Sequence, residues 1–176
     1  RQGFRCESRR LEPLRTMRTL AIHTVGEEET IALGRRLGIV AEAGDVILLS
    51  GELGTGKTCL VRGIASGLGA SDYAASPSFV IVRRYRGRLT LYHMDFYRLE
   101  RPEEVADLGI EEYLYGDGVC AVEWAERGTG LMPAEHLAVT LRYAPMEGER
   151  DIALTARGSR YEAILRRLEP EQRGAR

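Results

Sequence analysis

The chain has 176 residues, 44% of them hydrophobic and 29% charged, with a formal net charge of -1; that balance excludes a disordered or membrane-embedded chain and fits one soluble domain with a buried core. A near-neutral total gives no support for a protein that coats DNA, although a local basic patch would be enough to touch another nucleic acid. Cys6, Cys59 and Cys120 are far apart, with no C-x-x-C and no zinc spacing, and no apolar run reaches the roughly 18 residues that span a bilayer, so a reducing cytoplasm and no membrane partner are expected.

Residues 1–16 (RQGFRCESRRLEPLRT) are Arg-rich and lack an apolar period, so they read as a disordered N-terminal extension to a single domain over 17–176. Alternation over Thr19–Thr24 predicts a strand. Thr24 and Glu27 have the spacing of a capping box, opening a helix expected to run to about Val40. After a turn at Gly44 and Asp45, Val46–Leu49 is a contiguous apolar run of the kind buried on both faces of a parallel sheet, and it leads into GELGTGKT. Thr58–Leu68 reads as a helix ended by Gly69.

Phe79–Tyr85 and Leu89–Met94, around Arg86 and Gly87, predict a hairpin and hence a mixed sheet. Pro102 opens a short helix, PEEVADL, and IEEYL gives a further helical turn. Val119–Val122 is another apolar strand. His136–Tyr143 and Asp151–Thr155 form a second candidate hairpin, and Arg160–Leu168 a closing helix. The class is α/β: a mixed sheet of the P-loop NTPase type, flanked by helices and carrying antiparallel hairpins.

Gly51–Thr58 is a full match to G-x-x-x-x-G-K-[ST], with a buried strand before it and a helix after it. Inward-pointing backbone N–H groups can satisfy several phosphate oxygens at once, glycines at 51, 54 and 56 permit the concave turn, and the helix start adds its dipole. The nucleotide is therefore expected on Gly51, Glu52, Leu53, Gly54, Thr55, Gly56, Lys57, Thr58 and Cys59, with Lys57 reaching the β- and γ-phosphates and the Thr58 hydroxyl binding Mg²⁺.

Hydrolysis also needs a carboxylate at the end of a neighbouring strand. Glu123 ends the run VCAV at the carboxyl edge, where ligands of open α/β sheets bind. Asp95 ends LYHM, whose polar alternation marks a half-exposed strand. For either, capping a loop or pairing with an arginine is the alternative role. No N-K-x-D motif occurs, so the base is expected to be adenine, held by the turn near His23 and Thr24 and by Arg150. Trp124, the single tryptophan, follows Glu123 and should stand beside the site. The thiols of Cys59 and Cys120 read as small buried groups, and His23, His93 and His136 as structural. Arg83, Arg84, Arg86 and Arg88 read as a solvated hairpin, with contact to tRNA or a protein partner as the alternative.

GELGTGKT, SPSF at Ser76–Phe79, HMDFYRLE at His93–Glu100 and VEWAER at Val122–Arg127, in this order and spacing, resemble the TsaE family, also called YjeE. The resemblance runs from about Thr19 to Ala156. It implies a small bacterial ATPase needed to make threonylcarbamoyladenosine at adenosine 37 of tRNAs reading codons that begin with A. It further implies TsaD and TsaB as partners that carry out the transfer, with tRNA met indirectly or through their complex. By the same resemblance Lys57, Asp95 and Glu123 are catalytic, Thr58, Glu123 and Asp95 stand at the metal, and Ser78 is a switch-like hydroxyl near the γ-phosphate. Four positions depart from the family pattern: Ser78 and Cys59 stand where threonine is commoner, Phe96 replaces a leucine and Ala125 a proline. A small-molecule kinase is the alternative, but it would need an acceptor pocket and an arginine-bearing lid, and the one arginine-dense segment in the middle of the chain is a short hairpin.

Overall fold

The computed structural model describes residues 17–70 and 82–169. In chain order the elements are β1 (Thr19–Val25), α1 (Gly26–Val40), β2 (Val46–Ser50), α2 (Lys57–Gly67), β3 (Val82–Arg86), β4 (Thr90–Asp95), α3 (Pro102–Ala106), α4 (Glu111–Leu114), β5 (Val119–Glu123), β6 (His136–Tyr143), β7 (Glu149–Arg157) and α5 (Ser159–Leu168), with a 3-10 turn over Ala125–Gly128. The strands form one sheet in the order β1-β7-β6-β2-β5-β4-β3. Its middle, β6-β2-β5-β4, is parallel, and antiparallel pairs close it on both sides.

Strands in the parallel centre need apolar residues on both faces, and β2 supplies them. Ile47 and Leu49 enter the larger core, under α1, α2 and α5, while Val46 and Leu48 enter a smaller one with Phe96, Val105, Ile110 and Leu114. Within the larger core α1 and α2 touch backbone to backbone. A Cβ placed on Gly34 would stand 2.1 Å from the Leu60 carbonyl oxygen, and one on Gly63 2.1 Å from that of Ile31. Glycines at Gly34, Gly38, Gly63 and Gly67 are what allow this approach. On the other flank Tyr161 of α5 accepts the Val46 N–H (2.9 Å), and Arg160 clasps Asp45 (2.7 and 3.0 Å).

Both predicted hairpins form, the second as His136–Tyr143 with Glu149–Arg157; positions 79–81 of the first lie outside the described residues, as does the 1–16 segment. Three expectations are corrected. Thr24 lies in the predicted strand, within β1, but caps no helix: the helix is entered from Val25, whose N–H donates to Glu29 Oε2 (2.7 Å) rather than to Glu27. Glu27 instead pairs with Arg62 across the α1–α2 seam. Next, β4 is not half-exposed. It lies between β3 and β5, with Leu91, His93 and Met94 at 0% exposure and Asp95 at 8%. Last, the arginines of the first hairpin are not uniformly solvated, because Arg88 donates to the carbonyls of Gly38, Ile39 and Ala41 and so closes the C-terminal end of α1.

Candidate nucleotide-binding site

From the end of β2 the chain turns through Gly51–Gly56 into α2. Gly51 has φ 140°, and a Cβ there would stand 2.3 Å from the Leu141 carbonyl oxygen, so no other residue passes β6 at this point. Gly56, at φ 101°, is the N-cap of α2. The fully buried Thr55 donates its hydroxyl to the Glu52 carbonyl (2.8 Å). Behind the loop the β6–β7 hairpin braces it: Tyr143 Oη donates to the Leu53 carbonyl (2.7 Å) and Arg150 Nε to that of Thr55 (3.1 Å). The Arg150 guanidinium also lies over the Tyr143 ring at 4.6 Å.

Lys57 folds back over this loop. Its Nζ donates to the carbonyls of Gly51 (2.7 Å) and Glu52 (2.8 Å) and stands 4.1 Å from the centre of the Trp124 ring. Burial pulls its pKa below the ordinary lysine value, and the nearby Glu123, Glu126 and Asp95 carboxylates act in the opposite sense.

Asp95 and Glu123 are direct register partners at the carboxyl ends of parallel β4 and β5, so both side chains leave the same face at the same height. Glu123 accepts the Thr58 hydroxyl at 2.9 and 3.1 Å on its two oxygens, and His93 Nε2 lies 2.8 Å from its Oε1. Asp95 Oδ1 accepts the Tyr97 N–H (2.9 Å). Immediately after β5, Trp124 has φ 58°, the one non-glycine positive φ among the described residues, a conformation that costs about 1–3 kcal/mol and clusters at functional sites. Its ring meets Tyr97 at 5.1 Å, and Arg127 lies 5.6 Å from both rings. A cavity of about 360 Å³ opens among these groups. Thr58 and Glu123 are hard oxygen donors of the kind Mg²⁺ takes. Among the described residues no group of three or more His, Cys, Asp or Glu is placed to hold a metal ion.

The model for "Threonylcarbamoyl adenosine biosynthesis protein TsaE" matches residues 24–152. The chain belongs to the TsaE family. The tRNA threonylcarbamoyladenosine biosynthesis protein TsaE of Bacillus subtilis is 44% identical over 153 residues, which is 86% of this chain and 95% of that protein. The protein of the same name from Treponema pallidum is 42% identical over 127 residues, covering 72% of this chain and 93% of its own. Among solved structures, that of Bacillus subtilis YdiB superposes with a TM-score of 0.76 at 38% identity, over 86% of this chain and 95% of its own.

Within this TsaE chain, Lys57, Thr58, Asp95 and Glu123 converge on one cavity, lined also by Leu53, Gly54, Gly56, Cys59 and Trp124, and Gly51, Glu52 and Thr55 form the loop beneath it. Thr24 and Arg150 do not line that cavity: Thr24 is buried against the Thr30 hydroxyl (3.0 Å), and Arg150 holds loop carbonyls. His23 faces a separate concavity of about 430 Å³ on the outward side of β1, β7 and β6, bonded to Asp151 (2.9 Å). Ser78 lies outside the described residues. Sequence reasoning missed His93, Tyr97 and Arg98, the last two of which line the cavity. A signal was present for His93, since a residue two before Asp95 in a strand must share its face.

Proposed function

We propose that this TsaE chain binds ATP with Mg²⁺ on its P-loop and hydrolyses it, in support of threonylcarbamoyladenosine formation at adenosine 37 of tRNAs reading A-starting codons. TsaD and TsaB are the proposed partners, and tRNA is met through their complex. The observation that carries this reading is the Thr58–Glu123 contact at the N-terminus of α2, beside a buried lysine, in a chain whose named relatives belong to threonylcarbamoyladenosine biosynthesis.

The donor set fits the ion. Mg²⁺ keeps one or two protein oxygens and takes the rest from phosphate and water, which suits two oxygen-bearing side chains better than a closed protein cage. Thr58 and Glu123 would hold the ion, and the chemistry it would supply there is positive charge to offset the negative charge that develops on the phosphate. Lys57 supplies a cation already stripped of water, so transfer from loop carbonyls to phosphate carries little further desolvation cost. The inward N–H groups of the loop and the dipole of α2 favour the same anion. Asp95, next to Glu123 at the strand end, orients the attacking water.

Depletion in cells tests this. Nucleoside mass spectrometry of digested tRNA is expected to show loss of threonylcarbamoyladenosine, restored by the wild-type chain and not by Lys57→Ala. Normal modification in depleted cells without a second copy would overturn the tRNA role, and full rescue by Lys57→Ala would overturn the need for nucleotide.

A further inference from the structure

His93 is fully buried in β4, between β3 and β5, at 0% exposure. Its Nε2 lies 2.8 Å from Glu123 Oε1, while Nδ1 has no hydrogen-bond partner among the described residues. An imidazole that only filled space here would leave an unsatisfied nitrogen for no return, since leucine or phenylalanine would fill the same volume without that cost. The return lies at the other nitrogen. Glu123 has two side-chain partners among the described residues, Thr58 and His93. The Thr58 hydroxyl can offer its oxygen to a cation while its O–H still donates to the carboxylate, but one donor alone does not fix the direction of a carboxylate; His93, in β4 on the same face as Asp95, is the second contact that does.

We infer that His93 is a positioning residue for the metal carboxylate, donating its Nε2 hydrogen to Glu123 so that the carboxylate stays aimed at the α2 N-terminus; this rests on the reading of Thr58 and Glu123 as magnesium residues. Outer partners of this kind set the orientation of a ligand rather than touching the ion, and losing one typically costs 10–100-fold in metal affinity.

Two amides of different reach separate this role from filling the core. Glutamine carries its amide nitrogen to about the place of Nε2, and asparagine only to that of Nδ1. Both bury a similar polar group, so a merely structural role would treat them alike. The measurement is Mn²⁺ affinity of the full chain in the presence of ADP, by electron paramagnetic resonance, beside the thermal midpoint of each variant and with Glu123→Ala as reference. His93→Gln is expected to bind Mn²⁺ within about threefold of wild type and His93→Asn about 10-fold or more weakly. In a Glu123→Ala background the two are expected to be equal. If Glu123→Ala loses the ion while His93→Gln and His93→Asn bind it equally, the role of His93 is overturned and the metal reading stands. If wild type binds Mn²⁺ no better than Glu123→Ala, the metal reading itself is overturned, and the inference with it.

Discussion

Along α2, β4 and β5 one face of the molecule changes chemistry over a short distance. Its lower part is apolar: Leu60, Ile64, Leu91, Val119 and Ala121 are all in the larger core. One turn of helix and one strand pair higher, the same elements carry Lys57, Thr58, His93, Asp95 and Glu123. The two regions are made differently. Below, helices α1 and α2 are locked through bare backbone at Gly34 and Gly63. Above, position is set by hydrogen bonds and charge, as in the bonds of Lys57 to two loop carbonyls. Stability and chemistry are thus stacked on the same elements, and changes in one layer should leave the other readable.

The largest effect should come from the lower layer. Gly63→Ala forces a methyl against the Ile31 carbonyl oxygen, and because the obstacle is backbone, a loss at or above the top of the usual overpacking range, about 3 kcal/mol, is expected in urea unfolding. A loss below about 0.5 kcal/mol would mean that the helices part freely and that the contrast between the layers is overstated. Next comes the rim. Lys57→Ala should weaken ADP binding about 10–100-fold, the worth of a charge-assisted hydrogen bond, yet change stability by no more than about 1 kcal/mol, since burying the ammonium opposes the bonds it makes. Calorimetry and thermal unfolding check both halves; a collapsed fold in Lys57→Ala would break the separation. The smallest effect concerns Cys120, whose thiol burial pushes up to about 12. As the thiolate is the reactive form, Cys120 should resist a thiol reagent in the native protein at pH 8 and react once unfolded. Prompt native labelling, read by mass spectrometry of the peptide, would show that the smaller core opens.

How much of this was legible follows from what a single segment can carry. The glycine loop and its flanking strand and helix were readable because each is a local pattern, and Glu123 was readable because an apolar run ending in a carboxylate puts that carboxylate at a sheet edge. The order of the strands was not readable: that β6 and β5 sit on either side of β2 depends on contacts between distant segments. Polar residues misled at β4, where His93 and Asp95 imitate a solvated face although they are buried on the site. The role of Gly34, Gly38, Gly63 and Gly67 was not legible, since it lies in the opposing backbone of a separate helix. Thr24 followed by Glu27 imitated a capping box, while Glu29, not Glu27, reached the helix entrance. That Arg150 braces the carbonyls of Gly54 and Thr55 was not legible either, because it depends on where a distant hairpin lies against the loop.

The most direct test of the central claim, that the polar rim handles nucleotide together with magnesium, is ATP turnover during a Mg²⁺ titration of wild type and Glu123→Ala, each with a purified TsaD–TsaB pair and tRNA. Wild type should hydrolyse ATP in proportion to Mg²⁺ until saturated, and Glu123→Ala should need about 10-fold or more Mg²⁺ for a lower rate. Superimposable magnesium curves for the two proteins would contradict it.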